Sequence, residues 1–387
     1  MIPYSRQSIN KADSKSLIKT LNSNFLTQGP KVKEFENKIK KITGCKYAIA
    51  TNSGSSALHV ACLALGVKKG DFVWTVPNTF VASANCALNC GAILDFVDID
   101  KNTFNISIDE LKKKLILAKK KKKLPKVLIP VHLGGQPSDQ KEIKKLSKKF
   151  KFKILEDASH SIGSRHFGEQ VGSCRWSDIT VFSFHPVKII TTGEGGMALT
   201  NNKNLNKKMI IYKENGIVRD RSDLKASKRK NPWYYEHRSI GFNYRMNDLS
   251  ATLGLSQLSR LKKFLKKRNQ IAAIYKKNLS NLPVTFQKIL KYNYSSYHLF
   301  IVRFNLKKAK FTYKQIFNKF RQKGFFVNLH YMPIHLSPFF KSKGFKQGDF
   351  PVSENYAETS LSIPIYFDLK KKDVLKVTNL IKNFFHD

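Results

Sequence analysis

Two α/β units, a large one on a mostly parallel sheet and a smaller C-terminal one, are the fold this sequence predicts, and three observations lead there. The chain has 387 residues, more than the roughly 250–300 at which single cores tend to split. Between about residues 45 and 200, short apolar β-rich runs alternate with amphipathic or polar helical stretches, as parallel strands joined by crossover helices require. After a long helical stretch, strands and helices mix again from about 280 to 387. The division expected is 1–255 for the large unit and 256–387 for the small one, with the N-terminal segment packing on the small unit.

Taken in order, Tyr47–Thr51, Phe72–Val76, Ile93–Asp98, Val127–Val131, Lys153–Glu156 and Ile179–Phe184 read as the strands of the large sheet. Ser107, with Glu110 three residues on, reads as a capping box opening a helix that carries Leu111, Leu115 and Ala118. That helix runs into Lys119–Lys123 and closes before Pro125. Lysines there sit at the favourable end of the helix dipole and need no ligand to explain them. Residues 201–240 are polar, and Lys228, Arg229, Lys230 and Asn231-Pro232 ahead of Trp233-Tyr234-Tyr235 predict an exposed excursion without a deep core. From Asp248 to about Leu279, the stripe Leu249, Leu253, Leu255, Leu258 and Leu261 predicts a helix bridging the two units. The last unit offers a strand at Leu299–Phe304 and helices at Tyr313–Lys323 and Lys370–Phe385.

Composition narrows the function classes. With 41% hydrophobic and 25% charged residues, the chain reads as a soluble globular protein. Lysine and arginine total 70 against 27 acidic residues, a net +43 spread along the chain. Solvated lysine on helix faces accounts for this, and no arginine-and-aromatic recognition motif accompanies it, so nucleic acid is not an expected partner. A basic DNA-binding or regulatory protein is the competing class; it predicts steeply salt-dependent DNA binding and no cofactor absorbance. The field would instead draw in anionic small molecules. Five cysteines with no C-x-x-C pair, and no histidine cluster at ligand spacing, predict buried reduced thiols and no metal. Met1–Gln7 lacks signal-peptide character, and no uncharged apolar run reaches about 18 residues. A cytoplasmic protein without membrane attachment is expected.

Three short segments carry candidate chemistry. Ser183 to Gly196 follows a buried-looking strand and places Lys188 before an apolar pair and a glycine-rich turn. In such low-dielectric surroundings desolvation favours the neutral amine, which is what an imine-forming nucleophile needs. Leu155 to His160 brings Asp157 to the C-terminal end of a strand, the edge at which open α/β sheets bind ligands. A carboxylate there either caps a turn or holds a pyridine nitrogen protonated, as an electron-sink cofactor requires. His160 either faces the cofactor's phenolic oxygen or is a satisfied core histidine. Asn52 to Leu58 is a strand exit turning into a helix whose small and hydroxylated residues expose N–H groups, an N-cap or a phosphate cup. It lacks the Gly-Lys-Ser/Thr of a Walker loop. Cup, strand-end aspartate and later lysine, in that order, describe the pyridoxal 5′-phosphate (PLP) half of a fold-type I enzyme.

On these residues the chain closely resembles the DegT/DnrJ/EryC1/StrS family of sugar aminotransferases. The further stations are Leu26–Pro30, Pro77–Val81, Glu156–His160, Phe182–Lys188, Gly241–Met246, Ser256–Leu258 and His330–Pro333. The resemblance implies a PLP-dependent fold-type I aminotransferase with a mostly parallel seven-stranded sheet. It further implies that Lys188 forms the Schiff base, Asp157 pairs with the pyridine nitrogen, Gly54, Ser55 and Ser183 contact the phosphate, and Phe80 stacks on the ring. Asn243 would reach the phosphate of a neighbouring subunit, which implies a homodimer with shared active sites. Ser55 stands where threonine is usual and His160 where glutamine is common in other branches; both keep a hydrogen-bonding group. A dehydratase branch has histidine at the lysine position, so Lys188 argues for transamination.

Met1–Gln7, Val73–Thr75, Ser83–Leu88 and Phe182–Thr192 are most similar to the branch that serves pseudaminic acid biosynthesis. This implies a UDP-linked 2-acetamido-2,6-dideoxy-4-keto hexose as acceptor at C4 and L-glutamate as donor. Tyr4, Thr27, His330 and Tyr331 would contact the sugar. A dTDP- or GDP-linked keto sugar, aminated at C3 or C4, is the alternative within the same chemistry.

Overall fold

The computed structural model describes residues 1–385. Its centre is a seven-stranded sheet in the order Tyr47–Thr51, Gly196–Thr200, Ile179–Ser183, Lys153–Asp157, Val127–Leu128, Phe72–Thr75 and Ile93–Phe96. Only Gly196–Thr200 runs against its neighbours; the other pairings are parallel. Both faces are covered, as parallel sheets require. Val181 and Ala198 enter one core with Leu58, Val60 and Ala61, while Phe182, Met197 and Leu199 enter the other with Phe35 and Phe264. The period-2 alternation of each strand thus feeds two hydrophobic layers.

The expected strands all form: Tyr47–Thr51 at the expected length, Lys153–Asp157 one residue longer, the others shorter, most of all Val127–Leu128. Ser107 does cap Ile108–Lys120 by accepting from the amide of Glu110, but the reciprocal arm of a capping box is not among the bonds formed there. The region 201–240 corrects an expectation: Lys203–Lys213 is a helix packed on Gly54–Ala64, and its Met209 is fully buried. Leu205, Met209 and Tyr212, spaced i, i+4 and i+7, turn one face of this helix to the core, a stripe too short to stand out in a polar region. The bridging helix is also not continuous. It divides into Asp248–Ser259 and Leu261–Leu279 at Arg260, and of the leucine stripe Leu258 and Leu261 are buried, beside Ala251, Thr252, Gly254 and Gln257, while Leu249, Leu253 and Leu255 stay half-exposed.

A further core gathers the C-terminal elements. The antiparallel strands Val284–Phe286, Phe300–Phe304 and Ser360–Ile363 share a hydrophobic cluster with residues of Leu261–Leu279, Tyr313–Gln322 and Lys371–Lys382. Ile2–Pro3 pairs in parallel with Phe325–Phe326 of this unit. No helix among the described residues is long and apolar enough to cross a membrane.

Candidate active site

Three strand ends on one edge of the sheet supply polar groups to the principal cavity. Thr51 leads through the N-cap Ser53 into the Gly54–Ala64 helix, Asp157 ends Lys153–Asp157, and Ser183 ends Ile179–Ser183. All three lie at the carboxyl edge of the sheet. Two glycines permit this convergence. A Cβ at Gly54 would stand 2.9 Å from the Cβ of Ser183, and one at Gly196 would stand 2.3 Å from the carbonyl oxygen of Ser53. Any side chain at either position would push the helix start off the sheet.

The cavity encloses about 500 Å³, and among the described residues Lys188 is the one lysine lining it. Burial pulls the Lys188 ammonium down to about 8, against the opposing charge of Asp157. Its backbone is held from the N-terminal segment, where Ser5 donates to the Val187 carbonyl at 2.8 Å. Asp157 is buried and accepts from Ser83 Oγ at 2.6 Å and from the Ser159 amide at 3.1 Å. Ser83 exchanges a further hydrogen bond with Thr79 at 2.8 Å. These partners orient the carboxylate.

The small unit closes one wall. His330 packs edge-on to Tyr4 with ring centroids 4.7 Å apart and bonds Ser362 through Nδ1 at 2.9 Å. Burial, then Lys188, presses the His330 imidazolium down to about 3. Tyr331 pairs with His160 Nε2 at 3.2 Å, while the Gly134 amide donates to His160 Nδ1 at 3.3 Å. Burial, then Lys188, His330 and His132, holds His160 well below the usual histidine range, so it is neutral. Burial, Asp157 and Tyr4 push the Tyr331 phenol up. Phe80, 56% exposed, presents a ring over the opening 6.1 Å from that of Tyr331. At the mouth, His185 and Glu194 face each other at 3.9 Å.

Of the residues singled out in the sequence, Tyr4, Gly54, Ser55, Phe80, Asp157, His160, Ser183, Lys188, His330 and Tyr331 all line this cavity. Thr27 and Asn243 do not. Thr27 is exposed and bridges Asn247, and Asn243 is exposed beside Asn52, whose side chain bonds its carbonyl at 3.4 Å. The support that Ser83 and Thr79 give Asp157 was not anticipated. The signal available was helical spacing of two hydroxyls four apart ahead of Ala84, which does not reveal a partner 74 residues on.

The arrangement fits PLP. The first-turn amides of Gly54 and Ser55 have no intrahelical carbonyl to meet and suit a phosphate dianion. A buried carboxylate suits a protonated ring nitrogen, and a desolvated lysine suits an aldehyde.

Comparison with known proteins agrees with this geometry. The profile of the DegT/DnrJ/EryC1/StrS aminotransferase family matches residues 7–382. The UDP-4-amino-4,6-dideoxy-N-acetyl-β-L-altrosamine transaminase of Campylobacter jejuni is 37% identical over 378 residues, spanning 96% of this chain and 94% of its own. The GDP-perosamine synthase of Escherichia coli O157:H7 is 30% identical over 387 residues, spanning 100% and 99%. A Streptococcus pneumoniae protein assigned as a sugar aminotransferase, solved in its PLP form, superposes with a TM-score of 0.87 at 27% identity over 99% and 98% of the two chains. The chain therefore belongs to the DegT/DnrJ/EryC1/StrS aminotransferase family and is a PLP-dependent aminotransferase.

Proposed function

We propose that this enzyme transfers the amino group of L-glutamate to the C4 ketone of a UDP-linked 2-acetamido-2,6-dideoxy-4-keto hexose, a reaction of pseudaminic acid biosynthesis in the cytoplasm. The observation that carries the amino-transfer chemistry is the meeting of Lys188, Asp157 and the Gly54–Ser55 helix start in one cavity. When bound, PLP supplies an electron sink and a carrier for the amino group. Lys188 would hold the cofactor and, once released, take the proton from the donor's α-carbon and return one to the carbon being aminated. Its low proton affinity suits it to both directions. Asp157, fixed by Ser83 and Ser159, would keep the ring-nitrogen proton in place. Gly54, Ser55 and Ser183 would bind the phosphate, and Phe80 would cover the ring and shed water from it.

Tyr4, His330 and Tyr331 would position the sugar, with Thr27 contributing from outside the cavity rim. Asn243, turned away from its own cavity, would serve the phosphate of a second subunit in a homodimer with shared sites. The division 1–255 and 256–387 would let the small unit move against the PLP-binding one.

The UDP-sugar reading is supported by the 37% identity to the Campylobacter transaminase. A GDP-linked keto sugar is the second reading, favoured by the full-length match to a perosamine synthase. Incubating the enzyme with glutamate and a panel of UDP-, GDP- and dTDP-linked keto sugars, with products identified by mass and NMR, decides between them. Amination of the UDP-linked 4-keto sugar is expected; amination of the GDP sugar alone would replace this reading with the second.

A further inference from the structure

We propose that Arg268 and Ser5 are positioning residues for Lys188: the guanidinium fixes the Ser5 hydroxyl, and that hydroxyl fixes the peptide from which the lysine side chain enters the cavity. This rests on the reading of Lys188 as the residue that holds PLP.

Arg268, on the Leu261–Leu279 helix, is 2% exposed, and among the described residues no carboxylate pairs with it. A buried guanidinium without a counter-charge is costly, and an apolar side chain of similar volume would fill the space at less cost. What Arg268 gathers instead is oxygen. Nη1 donates to the carbonyls of Ile365 at 2.9 Å, His298 at 3.1 Å and Tyr297 at 3.2 Å, and Nη2 donates to Ser5 Oγ at 3.5 Å. Three stretches far apart in sequence thus meet at one side chain, and each touches the wall of the principal cavity. The His298 ring lies against His160 with centroids 4.3 Å apart. The Ile365 amide donates at 2.9 Å to the carbonyl of Tyr4, which lines the cavity. Ser5 reaches the turn that carries Lys188.

A count of protons gives the direction of the relay. The Ser5 hydroxyl has one proton, and the Val187 carbonyl at 2.8 Å takes it, so Arg268 meets a lone pair. That carbonyl belongs to the same peptide group as the Lys188 amide, which donates to the His185 carbonyl at 2.9 Å and closes the turn. The turn itself therefore holds one end of this peptide, and Ser5 holds the other. Among the described residues Lys188 alone borders both the principal cavity and a gap of about 10 Å³, which Arg6, Thr191, Gln257 and Arg268 also line. Such a gap has room for about one water. Lys188 is thus the partition between the two spaces. A loosened turn opens that partition, and hydration of the amine favours its charged form.

The test uses the full-length enzyme freed of cofactor and reads, across pH, the rate at which added PLP forms its visible band; the midpoint of that profile reports the Lys188 amine. Asp157, His160, His298 and His330 are the titratable groups whose charge acts with Lys188, His185 and Glu194 stand at the cavity mouth, and Arg6 borders the gap. Ser5→Ala changes none of these charges, so a shift that it causes comes from position. Ser5→Ala and Arg268→Met are each expected to raise the midpoint by about one pH unit, a tenfold change in proton affinity. The double variant is expected to raise it no further than Arg268→Met does, and Ser5→Thr, which keeps the hydroxyl, to stay at the wild-type midpoint. Should Arg268→Met fail to fold, Ser5→Ala decides alone. A pH midpoint unmoved by Ser5→Ala while unfolding comes at lower denaturant, or shifts that add in the double variant, overturns the proposal. Failure of the PLP reading looks different: the wild-type enzyme would form no band with PLP at any pH and no borohydride-fixed adduct on Lys188.

Discussion

Lys188 shows how burial becomes reactivity. Because its folded pKa of about 8 lies below the unfolded lysine value of about 10.4, the fold disfavours the ammonium. This group's contribution to stability therefore rises with pH between those values. The same shift predicts that cofactor-free enzyme combines with PLP faster as pH rises through about 8; stopped-flow absorbance checks this, and a flat profile would contradict a desolvated amine. Lys188→Ala should abolish both the borohydride-fixed adduct and the glutamate half-reaction. At Gly54 the constraint is steric. Gly54→Ala sets a methyl 2.9 Å from the Ser183 Cβ and should cost about 1–3 kcal/mol by thermal or chemical unfolding. Ser183→Gly in the same chain should recover part of it, which an independent effect of either residue would not produce.

At the scale of elements, one buried carboxylate ties the first helix to the bridge between the units. Asp13, on the Lys11–Leu21 helix, accepts from Ser256 Oγ at 2.6 Å and Gln257 Nε2 at 3.0 Å, and pairs with Arg260 at the break between the two bridging helices. Arg260 also donates to the Ser8 carbonyl at 3.0 Å. The break therefore sits where a side chain reaches out of the helix to the N-terminal segment. Asp13→Ala leaves these donors without their acceptor, and a loss of about 3 kcal/mol in denaturant unfolding is expected. A change under about 0.5 kcal/mol would show the cluster to be solvated instead. The sequence displayed the 3.6-residue repeat of this bridge but not the ion pair at its interruption, whose partner lies 247 residues away.

For the whole molecule, charge and assembly make the predictions. A net +43 raises the local concentration of a nucleotide diphosphate, and salt screens that field over roughly 10 Å at 0.1 M. KM for the nucleotide sugar should therefore rise several-fold with added salt while kcat holds; a neutral osmolyte should leave both unchanged. The proposed sharing of sites between subunits predicts that mixing Lys188→Ala with Asn243→Ala subunits restores activity above either parent. No gain on mixing would confine each site to one chain.

What the sequence alone determined was whatever is written in local pattern. Period-2 and 3.6-residue repeats placed the strands and helices, strand-end position singled out Asp157 and the Gly54 helix start, and the family resemblance added Ser183. Lys188 was legible because a single lysine was embedded in an apolar stretch between a buried strand and a glycine turn. The tertiary structure alone decided which distant groups meet. Ser83 reaches Asp157 across 74 residues, and His160 reaches Tyr331 across 171. Such pairs leave no periodic trace, since they arise only when packing of the two cores closes the intervening chain, and it is those pairs that set the direction of each hydrogen bond in the site.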